Sequence, residues 1–355
     1  MKEKAKYKKT IQILPPTSLT LLTTFKCTAK CRNCCFQCSP KASKKMSLSE
    51  MKMWLDKCFS AYPSIQLVVF SGGECTLLGN DLVEIIDFVS KKNKRTRIVT
   101  NAWWAKSFAF AKEFLSCLYN AGLDEVNFST GDEHQEWIPF SNIRNASIAA
   151  LKCGMKCAIN IETHDDSKFL LNNYFSSDKE FASLCSNMVT DDKIYVENGV
   201  WAPINKEDEG KITYEQFKKD LFGKPCINLF DNIPINPYGE VLACCGITSE
   251  TNPYMRLGNI MEEDIKVLYE YSFSDILKIW LFVSGPIEIL QYIVRVQYGK
   301  NIKPVGHMCV ICREIFANSD YLETLQNHVD DFAPVVLLKY NLIVKQKKKI
   351  WNILK

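Results

Sequence analysis

The chain has 355 residues, of which 47% are hydrophobic and 24% charged, and its formal net charge is +4. This balance is typical of a globular protein with one large domain or two, and it gives no sign of a nucleic-acid partner. The basic residues collect at the two ends, in "MKEKAKYKK" and "KQKKKIWNILK". We interpret both ends as solvated tails rather than as contacts with a nucleic acid or an anionic membrane.

The start of the sequence lacks the succession of charged, apolar and small residues that a secretion signal has, so we expect a cytoplasmic protein. Its sixteen cysteines are then better explained as metal ligands, catalytic thiols and buried small residues than as disulfides. The most apolar segment, "ILKIWLFVSGPIEILQYIVRV", contains three charged residues and a central Gly-Pro pair. It predicts two buried helices and no stable membrane insertion.

From residue 19 onward, short runs rich in β-branched residues alternate with longer segments of helical period. The predicted strands are Leu19 to Thr24, Gln66 to Ser71, Arg97 to Thr100, Val126 to Thr130, Cys157 to Thr163 and Ile194 to Val200. The predicted helices are Ser47 to Ser60, Asp81 to Lys92, Ser107 to Ala121, Asn142 to Lys152 and Lys179 to Asn187. Ser47 and Glu50 form a capping-box pattern at the first helix. This alternation predicts a parallel α/β sheet, and about six units are too few for a closed eightfold barrel, so we expect a partial (β/α)6 barrel.

Five cysteines crowd the stretch "FKCTAKCRNCCFQCSP", directly after the first predicted strand. Cys27, Cys31 and Cys34 form a CxxxCxxC motif, and three thiolates on a four-iron cluster leave one iron without a protein ligand. A structural zinc site is the alternative, because Cys31, Cys34, Cys35 and Cys38 also form two CxxC-like pairs. The position at the carboxyl end of a strand, where α/β folds place active sites, favours the cluster.

The next predicted strand ends in "VVFSGGECT". Gly72 and Gly73 allow the backbone to approach a ligand closely, and the carboxylate of Glu74 can pair with an ammonium group. With CxxxCxxC after the first strand and Gly-Gly-Glu after the second, the chain resembles the radical S-adenosylmethionine (SAM) superfamily. The resemblance implies a partial barrel of the radical SAM type, whose three motif cysteines hold a 4Fe-4S cluster. It also implies that the methionine part of SAM chelates the open iron beside the Gly-Gly-Glu segment.

The same resemblance assigns polar residues after later strands to SAM. Asn101 in "VTNAWW" follows the third strand, and Ser129 and Asp132 in "FSTGDEHQ" follow the fourth, at positions that resemble ribose or methionine contacts in the superfamily. A capping or turn role is the alternative for each, since Asn, Ser and Asp commonly cap helices. Weaker candidates on the fifth strand are Asn160 and Glu162. The residue before the third motif cysteine is often aromatic in the superfamily, whereas here it is Asn33.

A second set of cysteines lies downstream. Cys226 precedes "INLFDNIPINPYGEVLACCG", which predicts a β-hairpin with a Tyr-Gly turn that brings Cys244 and Cys245 to the end of its second strand. The later "CVIC" contributes Cys309 and Cys312. One cysteine of the adjacent pair, together with Cys226, Cys309 and Cys312, makes four thiols. Four is the number of ligands that an auxiliary 4Fe-4S cluster or, alternatively, a zinc ion needs. Adjacent residues on a strand point to opposite faces, so if Cys244 binds the cluster, the side chain of Cys245 faces away from it.

Hairpin cysteines followed by a distant CxxC resemble the shortened auxiliary-cluster domains, called twitch or SPASM-like, of peptide-modifying radical SAM enzymes. The sequences "CCFQCSP", "ACC" and "CVICREIFANSD", with Asp-Glu after the fourth strand, narrow the resemblance to the radical SAM peptide epimerases of the epipeptide type. The resemblance implies Cys245 as the hydrogen donor, for which a packing role is the alternative. The implied ligands of the auxiliary 4Fe-4S cluster are Cys226, Cys244, Cys309 and Cys312.

The expected function is therefore that of an isomerase that converts L-residues of a ribosomally synthesised precursor peptide to D-residues, with a reduced flavodoxin- or ferredoxin-type electron donor. A radical SAM maturase that forms thioethers is the nearest alternative, and a non-catalytic zinc-binding protein is a third. We expect a basic N-terminal tail over 1–18 and the barrel over 19–205. An irregular α+β auxiliary-cluster domain over 206–330 and a basic C-terminal tail over 331–355 are expected to follow.

Overall fold

The computed structural model describes residues 11–163, 167–169, 178–189, 193–200, 202, 204, 224–302 and 307–353. The chain divides into two compact units. The barrel unit comprises Ser18–Ile212 and Ile235–Tyr238, and the C-terminal unit comprises Met1–Thr17, Thr213–Pro234 and Gly239–Lys355. The boundary predicted between residues 205 and 206 borders a stretch, 205–223, that lies outside the described residues, so it stays a prediction.

Six parallel strands form the sheet of the barrel unit. They are β1 (Ser18–Leu22), β2 (Leu67–Ser71), β3 (Arg95–Thr100), β4 (Glu125–Gly131), β5 (Lys156–Thr163) and β6 (Ile194–Val200). Each strand pairs with the next strand along the chain. Sequential parallel strands joined by right-handed crossovers curl into a barrel wall, and six of them give the partial (β/α)6 barrel that the sequence predicts.

The helices of the barrel unit follow its strands. They are α1 (Leu48–Ala61), α2 (Asn80–Ser90), α3 (Phe108–Asn120), α4 (Asp132–Gln135), α5 (Phe140–Lys152) and α6 (Lys179–Val189). The predicted capping box is present at α1: the Ser47 side chain accepts the Glu50 N–H, and the Glu50 carboxylate accepts the Ser47 N–H at 2.7 Å. The short helix α4, directly after β4, is an element that the sequence analysis missed.

Apolar side chains from the strands and from one face of each helix fill the core of the barrel unit. Trp54 and Leu55 of α1 are buried, as the apolar period of an amphipathic helix predicts. Fully buried strand residues include Leu19, Leu21, Val68, Phe70, Ile98, Val126 and Phe128. The carboxyl ends of the strands and the loops that follow them lie outside this apolar core, and they carry polar residues.

The C-terminal unit contains three short strands and five α-helices within the described residues. Its strands are β7 (Asn232–Ile235, of which the last residue is counted with the barrel unit), β8 (Glu240–Leu242) and β9 (Arg256–Asn259), in that order. Its helices are α7 (Ile265–Tyr271), α8 (Ile276–Tyr298), α9 (Met308–Ala317), α10 (Ser319–Asn327) and α11 (Val329–Ile353). The predicted Tyr-Gly turn precedes β8, and Gly239 adopts a φ of +77° that favours glycine.

Helix α8 contains the long apolar segment of the sequence. Among the described residues it is the one helix long and apolar enough to cross a membrane, and 67% of its apolar window is buried inside the fold. The helix kinks at Gly285, where φ is +76° and ψ is 173°, as the Gly-Pro pair predicts. A Cβ on Gly285 would lie 2.1 Å from the carbonyl oxygen of Lys224, and the Cys226 N–H donates to the Leu281 carbonyl at 2.9 Å. The kink therefore makes room for the chain segment that carries Cys226.

Helix α11 occupies residues for which the sequence predicts a basic C-terminal tail. Its residues Phe332, Val336 and Tyr340 are buried, and the Phe332 ring stacks on Trp280 of α8 with 4.2 Å between ring centroids. The Tyr340 hydroxyl donates to the carbonyl of Gln12 at 2.5 Å. The stretch 331–353 is thus helical and not the expected tail, and it packs through buried residues between 332 and 344, which precede the exposed lysines.

Candidate functional site

The cysteine loop, residues 25–40, connects β1 to α1 at the carboxyl end of the barrel strands. Cys27 and Cys38 are buried in it, together with Ala29. Cys31 and Cys34 are partly buried and pack against the same cluster. The structure therefore brings the three cysteines of the predicted motif into one small cluster, where Cys38 joins them.

Amide groups surround the sulfur atoms of this loop. Cys27 Sγ accepts the Ala29 N–H at 3.4 Å and an Asn101 Nδ2–H at 3.6 Å, and Cys34 Sγ accepts the Cys38 N–H at 3.4 Å. Burial raises the pKa of Cys27 to about 11, whereas hydrogen bonds from Cys38 lower the pKa of Cys34. Thiols in such surroundings lose their protons on binding metal, and amide donors then stabilise the sulfur charge. The donor set fits an iron-sulfur cluster.

The Gly-Gly-Glu turn after β2 lies directly against the start of the cysteine loop. The Gly73 N–H donates to the Thr24 carbonyl at 2.6 Å, and the Glu74 N–H donates to the Lys26 carbonyl at 2.9 Å. A Cβ on Gly72 would lie 2.4 Å from the Thr24 oxygen, and one on Gly73 would lie 2.2 Å from the Lys26 oxygen. The glycines are therefore required by the contact between two loops, a reason that differs from the ligand approach inferred from the sequence.

Glu74 is fully buried and its carboxylate joins the ends of β2 and β3. Its Oε1 accepts the hydroxyls of Thr76 at 2.7 Å and Thr100 at 2.8 Å, and its Oε2 accepts the Asn101 N–H at 2.9 Å. Burial raises the pKa of Glu74, and these hydrogen bonds oppose the shift. The carboxylate is therefore fixed in place, and its contact with an ammonium group of a ligand stays a prediction.

The other polar residues predicted to contact SAM lie at the same end of the barrel unit. Asn101 contacts the cysteine loop through its hydrogen bond to Cys27. Ser129 is half-buried in β4. The Asp132 carboxylate accepts the backbone N–H groups of residues 168 and 169 at 2.7 and 2.9 Å, and its contact with SAM stays a prediction. All three residues therefore remain candidates for contacts with SAM.

A hydrogen-bonded network that the sequence analysis missed links the cysteine loop to β4 and β5. The Glu133 carboxylate accepts both the backbone N–H and the Nδ2–H of Asn33, each at 2.8 Å. Glu162 accepts the N–H groups of Glu133 at 2.9 Å and His134 at 3.1 Å, and it contacts the His134 imidazole directly. Burial lowers the pKa of His134, but the hydrogen bond and charge of Glu162 outweigh it, so the net pKa is raised. The consecutive titratable residues of "DEHQ" are the only signal of this network in the sequence.

The C-terminal unit contains a cavity of about 310 Å³. All four cysteines predicted as auxiliary ligands line it: Cys226, Cys244, Cys309 and Cys312. A single water needs only about 10–15 Å³, so the cavity can hold a much larger group. Among the described residues no three His, Cys, Asp or Glu side chains converge closely enough to hold a single metal ion. The four sulfurs border this volume, and four thiolates are the usual ligand set of a 4Fe-4S cluster.

The adjacent cysteines at the end of the hairpin have different surroundings. Cys244 is buried and lines the cavity, and burial together with the charge of Cys226 raises its pKa. Cys245 is exposed and is not part of the lining. Its thiol donates to the Asn228 side-chain oxygen at 3.8 Å. The pair therefore has one cysteine facing the cavity and one available to other molecules.

Comparisons with known proteins bear on the fold. No family model matches the chain. The protein named "Putative peptide biosynthesis protein YydG" from Bacillus subtilis (strain 168) is 24% identical over 120 residues, which are 34% of this chain and 37% of that protein. The chain thus matches little more than a third of the length of this curated relative.

Two solved structures resemble the chain more extensively. "Native anSMEcpe with bound AdoMet" has a TM-score of 0.54 and 15% identity, and the match covers 92% of this chain and 100% of that one. "Native anSMEcpe with bound AdoMet and Cp18Cys peptide" has a TM-score of 0.51 and 16% identity, with 93% and 100% covered. These likenesses show that the chain shares their fold.

Proposed function

We propose that this chain, which has the fold of the radical SAM superfamily, is a radical SAM peptide epimerase. It removes a Cα hydrogen from an L-residue of a ribosomally synthesised peptide and returns a hydrogen to the opposite face. The observation that carries the proposal is the presence of two cysteine sites with an exposed cysteine next to the second one. The name of the Bacillus relative and the peptide in one similar structure support a peptide substrate.

The two cysteine sites would hold different groups. The SAM-binding 4Fe-4S cluster would be held by Cys27, Cys31 and Cys34, and an auxiliary 4Fe-4S cluster by Cys226, Cys244, Cys309 and Cys312. When bound and reduced, these cofactors supply a 5′-deoxyadenosyl radical that abstracts the Cα hydrogen. The residues proposed to contact SAM are Gly72, Gly73, Glu74, Asn101, Ser129 and Asp132. We place the reaction in the cytoplasm, where thiols stay reduced, with a flavodoxin- or ferredoxin-type protein as electron donor.

The proposed role of this chain's own thiol is to complete the inversion. Breaking the S–H bond of Cys245 and forming a new Cα–H bond on the opposite face gives the D-residue. The sulfur radical that remains takes up one electron and one proton before the next turnover. Cys244 lines the cavity, whereas the neighbouring Cys245 is not part of its lining and has an exposed thiol.

Anaerobic purification and one reaction in D2O test the proposal. The protein should be brown and contain roughly eight irons per chain. Incubation with SAM, dithionite and synthetic peptides from neighbouring small open reading frames should yield D-residues and a gain of about one dalton per epimerised residue, because the exchangeable thiol returns deuterium. A loss of about two daltons would indicate thioether formation instead. A colourless protein that contains zinc would overturn the enzyme proposal.

The substitution Cys245→Ala tests the donor separately. The variant should still form 5′-deoxyadenosine from SAM and should lose D-residue formation. Cys117→Ala is the matched control, because Cys117 is also an exposed thiol but lies on α3, and it should change neither product. If Cys245→Ala still forms D-residues, Cys245 is not the donor.

A further inference from the structure

We propose that Glu133 and Glu162 are positioning residues for the cysteine loop, which they hold through Asn33 at the carboxyl end of β4 and β5. Asn33 directly precedes Cys34, so fixing its backbone also fixes the third cysteine of the motif. This inference rests on the proposed function, because it takes Cys34 to be a ligand of the SAM-binding cluster.

The contact between Asn33 and Glu133 is specific in its geometry. Both oxygens of the Glu133 carboxylate are used, one by the Asn33 backbone N–H and the other by its side-chain Nδ2–H, each at 2.8 Å. The Asn33 Oδ1 in turn accepts the Ile204 N–H at 3.0 Å. An amide side chain can donate to a carboxylate through its nitrogen and accept from a backbone N–H through its oxygen at the same time. A phenylalanine at this position would keep the backbone bond and lose both side-chain bonds.

Glu162 fixes Glu133 from the other side. Its Oε1 accepts the backbone N–H groups of Glu133 and His134, and its Oε2 contacts the His134 imidazole. Two N–H groups at the start of α4 are thereby satisfied by a side chain from the neighbouring strand. Hydrogen bonds to an ionised carboxylate are about twice as strong as neutral ones, so this anchor holds α4 firmly.

The end of β4 is shaped to receive the Glu162 carboxylate. Gly131 lies opposite Glu162 in the register of β4 and β5. It has a φ of +134°, and a Cβ there would lie 2.2 Å from the Glu162 carboxyl carbon. Only glycine leaves this space. The path from β5 to Cys34 is therefore continuous: Glu162, α4, Glu133, Asn33 and the cysteine loop.

An exchange of the two contacting groups tests the contact itself. N33D places a second carboxylate against Glu133, and like charges at this distance repel. Hydrogen exchange of residues 31–34, measured on chelator-treated protein, should accelerate about tenfold or more, as expected for the loss of one charge-assisted hydrogen bond. The double variant N33D/E133Q restores an amide facing a carboxylate, with their positions exchanged, and should return exchange to within about twofold of the wild type. Unchanged exchange in N33D, or no rescue in the double variant, would overturn the proposal.

The variant E162Q tests the anchor, with E125Q as its matched control. Glu125 is a carboxylate of the same barrel unit, paired with Arg97 at 2.8 Å at the amino end of β4. E162Q should accelerate exchange of residues 31–34 and E125Q should not. If both variants accelerate it equally, the effect is general destabilisation and the positioning role is refuted.

The spectrum of the cluster separates this inference from the proposed function. In reconstituted protein, the EPR signal of the reduced cluster should change when SAM is added to wild type and to N33D/E133Q, and should change little in N33D. If the wild type shows no cluster signal at all, the proposed function fails while the exchange results still decide the positioning role. If N33D gives the wild-type response to SAM, the positioning role fails and the function stands.

Discussion

Gly73 and Lys26 lie so close together that any side chain on Gly73 would overlap the Lys26 carbonyl, which a Cβ would approach to 2.2 Å. The backbone of Lys26 cannot retreat without losing its hydrogen bond from the Glu74 N–H at 2.9 Å. The Gly-Gly-Glu turn and the cysteine loop therefore form one packed structure in the barrel unit.

Gly73→Ala should lower both stability and iron content. The new Cβ forces the two loops apart, and overpacking of this kind costs about 1–3 kcal/mol. Urea unfolding measures the stability, and iron per chain after anaerobic reconstitution measures the second effect. Gly199→Ala is the control, because a Cβ there would meet its nearest atom at an ordinary 3.7 Å. Equal effects of the two substitutions would contradict the packing argument.

Thr100→Val should destabilise the protein more than Thr96→Val. Both threonines are buried on β3, but Thr100 donates to the Glu74 carboxylate at 2.8 Å, whereas Thr96 donates to the neutral carbonyl of Gly122 at 2.8 Å. The Thr100 hydroxyl oxygen also accepts the Ala102 N–H at 3.0 Å and the Trp104 Nε1–H at 3.3 Å. The substitution at 100 therefore removes three side-chain hydrogen bonds of about 1 kcal/mol each, against one at 96. Urea unfolding of the two variants at pH 7 measures the difference. A larger loss for Thr96→Val would contradict the role of Thr100 in joining the ends of β2 and β3.

Gly246→Ala should reduce iron binding in the C-terminal unit. A Cβ on Gly246 would lie 3.1 Å from Cys309 Sγ and 3.6 Å from Cys244 Sγ, inside the cavity that the four cysteines line. The Cys309 sulfur would have to move by a few tenths of an ångström from its position as a proposed ligand, whereas 3.6 Å to the Cys244 sulfur is an ordinary contact. We expect iron per chain to fall by up to about half, the share of one of two 4Fe-4S clusters. Full iron content in this variant would show that the cavity does not hold the second cluster.

Asp275→Asn should cost about 3–5 kcal/mol, the loss expected when one partner of a buried ion pair is removed. The Asp275 carboxylate accepts the Lys278 Nζ at 2.9 Å and the Tyr254 hydroxyl, and the Lys278 side chain is only 7% exposed. The substitution leaves the Lys278 charge buried without its carboxylate. Asp87→Asn is the control, because its partner Lys91 is exposed, and it should cost less than about 1 kcal/mol.

The difference between wild type and Asp275→Asn should depend on pH in one direction. Burial opposes ionisation of Asp275, but the charge of Lys278 and the Tyr254 hydrogen bond outweigh it, so the folded-state pKa is lowered. A lowered pKa stabilises the folded state above the unfolded value of about 3.9, and that stabilisation is lost as pH falls through the folded value. Unfolding at pH 7 and at pH 3 should therefore show a large and a reduced difference, respectively. A difference that grows on acidification would contradict this assignment.

The sequence predicted most of the fold because the apolar pattern of the barrel unit is local. Strand β6 matches its predicted bounds, and the other five strands end within two residues of theirs. The comparisons confirm the fold class, since the chain shares the fold of the two anSMEcpe structures. Two elements differ from the sequence prediction for physical reasons. Helix α4 is only four residues long and depends on Glu162, a partner from another strand, and α11 packs through residues that the lysine-rich end obscures.

The candidate site was predictable only where its residues are close in the sequence. The spacing of Cys27, Cys31 and Cys34 indicated their proximity, and the structure places them in one cluster. The link from Asn33 to Glu162 was not predictable, because it depends on the register of β4 and β5 and spans more than a hundred residues of chain. Similarly, no local pattern shows that Glu74 accepts from Thr100.

The kink in α8 limits which changes of length this helix can tolerate. Leu281 accepts the Cys226 N–H, and Gly285, one turn later, faces the Lys224 carbonyl. Both contacts involve the backbone, so many side chains around them can be exchanged without disturbing either. An inserted or deleted residue between Leu281 and Gly285 would instead rotate one contact by about 100° around the helix axis relative to the other. Homologous chains that keep the hydrogen bond between Cys226 and this helix should therefore vary in which residues form the turn from 281 to 285, but not in how many.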